Sequence, residues 1–302
     1  MCGKGVFFDS VPYTERFGRS TVIVAISQGC GAGPSMNMEG PIMSGTSNRF
    51  WISIAVLLLW GAATMFGAQI LGGGEEISLD ELVRQGVGWQ FVVAIAVLLG
   101  AIAIFRWRDI GFVRPHSLFR VMWFPCIYLL LFGAGIVYLG LPPLVTTLLV
   151  FLNTMMVGFS EEVMFRGVLF RASIERMSVW PAILLNMMLF GGVHAFNGFI
   201  TGEFGAAIQQ SFAAGMSGLV FIAIMLRTGS IWPAIIYHGL WDFALFTVGM
   251  ASAASGGGEA AGELPAYAGY LPIVMNLPNF IFALILLRNI HKDPPRPLPA
   301  TG

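Results

Sequence analysis

Charge is scarce in this chain. Asp, Glu, Lys and Arg make up 11% of its 302 residues and the two signs cancel at 16 each, so no basic face is available to hold a nucleic-acid backbone. Cysteine is nearly missing. Cys2, Cys30 and Cys126 have neither metal-ligand spacing nor an evident pairing, which excludes a disulfide framework and a thiolate zinc site. Any metal must be held by carboxylates and by some of the four histidines. An internal repeat is missing too, which counts against transporter folds built from inverted halves.

Apolar length is what the chain has in quantity. Hydrophobic residues make up 56% of it, mean hydropathy is +0.78, and apolar runs repeatedly reach the ~20 residues that a helix needs to cross a ~30 Å hydrocarbon core. The expected fold class is all-α, a polytopic transmembrane bundle in the cytoplasmic membrane with lipid as its surroundings. Eight spans are expected, at about Phe50–Leu71, Gly88–Phe105, Phe119–Leu139, Leu144–Val163, Val179–Phe196, Ala206–Leu226, Ile231–Gly249 and Ala268–Leu287. The basic residues support that count. All but Arg84 fall before span one, after spans two, four and six, or after span eight, the pattern of a chain with both termini in the cytoplasm.

Residues 1–48 differ from the rest in being Gly/Ser-rich and short of apolar runs. They read as a disordered cytoplasmic arm without a signal peptide, and Met36, Met38 or Met43 are equally acceptable starts. The domain expected at 49–290 is transmembrane; 251–267 reads as a flexible external loop and 291–302 as a disordered Pro-rich tail. Neither an N-myristoylation pattern nor a prenylation box is present, so no lipid anchor is expected.

Against this apolar background a few ionisable residues stand out. Glu161 and Glu162 lie in the run TMMVGFSEEVMFRGVLF, His194 ends LFGGVHAF, and His238 stands four residues before Asp242 in SIWPAIIYHGLWDF. A carboxylate at bilayer depth costs about 2.5–3.5 kcal/mol on the insertion scale, so such groups are usually functional and partnered. Spacing of four puts His238 and Asp242 on one helix face, and Glu162 and Arg166 likewise, with Glu on the N-terminal side as an ion pair prefers. Glu161 points about 100° away from Glu162, so the two carboxylates can take different jobs. A Glu, two His and an acidic residue from three spans are chemically sufficient for a divalent cation, Zn²⁺ first among the candidates, with a water activated for hydrolysis.

Three segments carry a resemblance. Glu161-Glu162-Val-Met-Phe-Arg166-Gly167, then Phe190-Gly-Gly-Val-His194, then Gly229-Ser-Ile-Trp-Pro-Ala-Ile-Ile-Tyr-His238-Gly-Leu-Trp-Asp242 resemble the successive motifs of the CPBP intramembrane metalloproteases, which include the type II CAAX prenyl endopeptidases and bacteriocin-processing and self-immunity proteins. The resemblance covers about Leu144–Phe246 and implies an intramembrane endopeptidase acting on a peptide or protein substrate. It implies that Glu161 activates water, that His194 and His238 hold the metal, and that Asp242 completes the site. Asp242 departs from the family's commoner Asn; it can ligate the metal, orient His238, or help the oxyanion if protonated. Glu162 and Arg166 are expected to form a structural ion pair, with Glu162 a possible third ligand.

Plainer expectations stand beside these. Arg166 alone reads equally as a positive-inside residue at the membrane edge, and Gly191, Gly192, Gly215 and Gly218 read as packing sites. Rival functions are a non-proteolytic scaffold or immunity protein of the same fold and an ion-coupled transporter. One geometric difficulty is visible: counted from interfacial helix starts at ~1.5 Å per residue, His194 lies ~24 Å deep and His238 only ~12 Å. They meet only if span five begins outside the membrane or is strongly tilted.

Overall fold

In the computed structural model the described residues are 46–71, 73–254 and 269–292, so most of the expected arm, external loop and tail lies outside them. Every regular element among these is helical. They are α1 Thr46–Leu71, α2 Leu79–Arg84, α3 Trp89–Phe105, α4 Leu118–Leu139, α5 Leu144–Glu162 with a π-helical continuation Val163–Leu169 and α6 Phe170–Ile174, α7 Val179–Ala195, α8 Gly198–Thr201, α9 Phe204–Thr228, α10 Trp232–Ala254 and α11 Leu271–Leu287.

Among the described residues six helices are long and apolar enough to span a membrane, where eight spans are expected. The other two, α3 and α11, have 17 residues each, about 25 Å of helix against a ~30 Å core. The span expected at Leu144–Val163 is in turn much longer. α5, its π-helical continuation and α6 form 31 residues of unbroken helix, Leu144–Ile174, about 46 Å. One end therefore projects beyond the hydrocarbon.

Three close crossings assemble the bundle, each at glycine. A Cβ on Gly158 of α5 would lie 2.7 Å from the backbone N of Gly239 on α10. A Cβ on Gly191 of α7 would lie 2.6 Å from the Ser211 carbonyl O on α9, and the Ser211 hydroxyl donates back to the Gly191 carbonyl. At Gly167 the π-helical stretch rests on Ile110 and Ile231. Without a hydrophobic drive between helices in lipid, backbone approach at small residues is what holds them together. Gly191, Gly215 and Gly218 make such contacts, whereas Gly192 faces open space.

The connection between α3 and α4 pins the start of α10. The Ile231 amide donates to the Gly111 carbonyl, the Ser230 hydroxyl to Val113, and the His116 amide to Thr228. These bonds satisfy backbone groups that the turn between α9 and α10 would otherwise leave open. α10 consequently begins level with Gly167, well inside the end of α6.

Candidate active site

The depth difficulty disappears with these starts. Glu161 lies thirteen residues before Ile174 and His194 fifteen residues after Val179, ~20 Å and ~22 Å from the same projecting end. Ile231 packs at Gly167, six residues past Glu161, and His238 is seven residues past Ile231. All three residues therefore fall at one level. α7 thus starts near the end of α6 and α10 starts further in, so the two helices do not share one starting level.

Glu161 Oε2 stands 3.9 Å from His194 Nε2 and 3.8 Å from His238 Nε2, and His238 Nε2 stands 3.4 Å from Asp242 Oδ2. Most of these gaps are too long for a direct hydrogen bond. They suit a shared third atom between the side chains, and buried Glu161 Oε2 has no protein hydrogen-bond partner.

Both imidazoles are oriented to present Nε2. The Nδ1 of His194 lies 2.7 Å from the Phe190 carbonyl, so it carries the proton and donates there. The Nδ1 of His238 lies 2.9 Å from Glu162 Oε1 and donates to it. Each ring thereby turns its Nε2 toward Glu161. A histidine whose far nitrogen is held by a carbonyl or carboxylate is the usual arrangement of a metal ligand.

Glu162 and Arg166 lie behind this face, both with 0% exposed side chains and 3.1 Å apart. Arg166 is enclosed by protein rather than facing lipid or water. Its Nη2 donates to the Gly218 carbonyl at 3.1 Å, and its guanidinium lies over the rings of Phe190 and Phe221 at 4.2 and 5.1 Å. A wholly buried arginine needs such partners, since burial without them is prohibitive. Glu162 Oε1 thus lies against Arg166 and His238 Nδ1, while its buried Oε2 has no hydrogen-bond partner.

Phe190 and Phe221 were not legible as site residues. Phe221 stacks on His238 with centroids 4.5 Å apart, and Phe190 touches both imidazoles edge-on. Phe190 had a signal, standing one helical turn before His194; Phe221 had none. The π-helical stretch is supported by another unforeseen residue, buried Asn186, whose amide donates to the Phe165 carbonyl. π-helical turns are rare and gather at functional sites.

Glu161, His194, His238 and Asp242 open on a cavity of about 780 Å³ whose walls are mainly apolar side chains of α1, α2, α3, α7 and α8. Trp60 and Val193 line it beside Ser160, and the Trp60 indole donates to Ser160. As placed, no three His, Cys, Asp or Glu side chains among the described residues form a ligand cage. The donors nevertheless fit Zn²⁺ in kind: two imidazoles with Nε2 turned toward Glu161, an unpartnered carboxylate oxygen and Asp242. Two ligands on a tetrahedral zinc stand about 3.3 Å apart, close to the 3.4 Å between His238 Nε2 and Asp242 Oδ2.

No curated protein and no solved structure matches the chain. Residues 143–244 match a family model described as "Type II CAAX prenyl endopeptidase Rce1-like", a span of about a third of the chain that includes every residue of the site. The resemblance carried by the three motifs therefore holds: this multi-pass helical protein bears, in the segment that builds its site, the match of the Rce1-like type II CAAX prenyl endopeptidases.

Proposed function

We propose that this chain is an intramembrane metal-dependent endopeptidase that hydrolyses a peptide bond in a membrane-associated protein or peptide. The observation that carries the reading is the unpartnered Glu161 Oε2 facing two imidazole Nε2 atoms at 3.8 and 3.9 Å. A water hydrogen-bonded to Glu161 Oε2 would stand on the side toward which both Nε2 atoms point.

Glu161 takes the proton from this water as its oxygen bonds to the scissile carbonyl carbon, and later returns it to the leaving nitrogen as the C–N bond breaks. His194 and His238 would hold a divalent cation, Zn²⁺, with Asp242 as a further donor, and the ion when bound lowers the pKa of its water and polarises the carbonyl. Glu162 keeps His238 in the Nδ1–H tautomer, and Arg166 keeps Glu162 ionised and aimed. The apolar cavity suits a hydrophobic peptide segment and excludes bulk water from the intermediate. The basic connections orient the chain with both termini cytoplasmic and the site nearer that face. The matched family's description adds prenylated peptides to the substrates to be offered.

Metal content of the purified protein in lipid nanodiscs tests the cation. Near-stoichiometric Zn²⁺ in the wild type, lost in both His194→Ala and His238→Ala with folding intact, is the expected result. A folded, active, metal-free wild type would remove the ion and leave Glu161 as a base acting alone.

A further inference from the structure

The wall of the cavity holds a polar group that the site described above does not use. Gln90, in the first turn of α3, is 2% exposed and lines the cavity, yet neither its Oε1 nor its Nε2 has a hydrogen-bond partner. A buried primary amide left unpaired costs stability through the lost hydration of each atom, and nearly all such groups in folded proteins are satisfied. Its surroundings explain how the side chain is aimed but not what it binds. Gly67 of α1 presses on its stem, so closely that a Cβ there would stand 2.5 Å from Gln90 Cβ. Asn153 fixes the start of α3 by accepting from the Gly88 amide at 2.8 Å and donating to the Val83 and Gly86 carbonyls.

Two registers place this amide relative to the scissile bond. Gly88 is level with Asn153 on α5, which runs in the same direction, so Gln90 lies six residues short of the Glu161 level, ~9 Å away along the bundle. On the other side Trp60 of α1 meets Ser160, and Gly67, seven residues further, meets Gln90, again ~10 Å away. An extended peptide covers that distance in about three residues.

We propose that Gln90 is a substrate-positioning residue, whose side-chain amide pairs with the main-chain N–H and C=O of one residue of the bound peptide about three residues from the bond cleaved. One carboxamide offers both a donor and an acceptor, matching the N–H and C=O that one residue of an extended strand turns to the same side. An apolar cavity can thereby hold the backbone in register while leaving the side chains to be sorted by shape. This assignment rests on the peptidase reading.

The test uses wild type and Gln90→Leu in nanodiscs, with acetyl-trileucine amide and its depsipeptide analogue, in which esters replace the internal amides, as titrants in calorimetry. Wild type should bind the amide about fivefold to tenfold more tightly than the ester, the worth of one or two hydrogen bonds; Gln90→Leu should bind both equally. Melting temperature separates this role from a structural one, since removing an unpaired buried amide should leave it unchanged or raised. Equal binding of amide and ester by wild type, an amide preference retained in Gln90→Leu, or a marked fall in melting temperature would each overturn the assignment. Amide-selective binding without cleavage of any peptide would instead sink the peptidase reading.

Discussion

Arg49 and Arg166 are the same side chain in two settings. Arg49 sits near the projecting end of the bundle with a 15% exposed side chain, forked onto both oxygens of Asp109 and also paired with Glu175. It ties α1 to the connection after α3 and to the end of α6. Arg166 has no exposure at all and shares its one carboxylate, Glu162, with a histidine of the site. Ion pairs near water fasten elements together at little net gain, whereas a wholly buried pair is costly to break and serves to fix geometry. The first cluster is a fastening and the second orients the catalytic face.

The largest effect that would sharpen this contrast is at Arg166. Arg166→Leu leaves Glu162 buried and unpaired and should lower unfolding stability in detergent by about 3–5 kcal/mol. Glu162→Leu combined with Arg166→Leu should regain most of that stability yet stay poorly active, because His238 Nδ1 has lost its acceptor. A double variant no more stable than the single one would show that the unpaired charge is not the cause. Gly158→Ala should follow, at about 1–3 kcal/mol, since the added methyl meets the α10 backbone directly beneath His238; thermal unfolding measures it. Smallest is Arg49→Ala, about 1 kcal/mol or less, fading as salt screens the partly exposed pair and leaving hydrolysis within about twofold of wild type. A large loss of activity there would erase the distinction between the clusters.

Much of the site was legible because its chemistry is foreign to lipid. Glu161, Glu162, Arg166, His194, His238 and Asp242 could be picked out as ionisable residues in apolar runs, and their spacings of four and their motif order survive in the folded chain. Depth was not legible. It depends on a helix continuing eleven residues past the apparent end of its span, to Ile174, and on α10 starting at Gly167 because a distant connection binds its first turn. The burial of Arg166 in protein was not legible either, since the apolar run around it reads the same whether lipid or protein covers it. Six of the eight expected spans are long apolar helices among the described residues, and α3 and α11, at 17 residues each, stand at the short end of what can cross the core. Gln90 gave no signal: a lone glutamine at the start of an apolar run is unremarkable until its partners are counted.

The central claim is that Glu161 is the base that activates water on a peptide bond. Its most direct test is peptide hydrolysis in nanodiscs by wild type and Glu161→Gln, using a library of apolar fluorogenic peptides with and without a prenylated cysteine. The account predicts cleavage by wild type and a loss of about 10²- to 10⁴-fold in Glu161→Gln, with peptide affinity and folding retained. Hydrolysis by Glu161→Gln at the wild-type rate would contradict it.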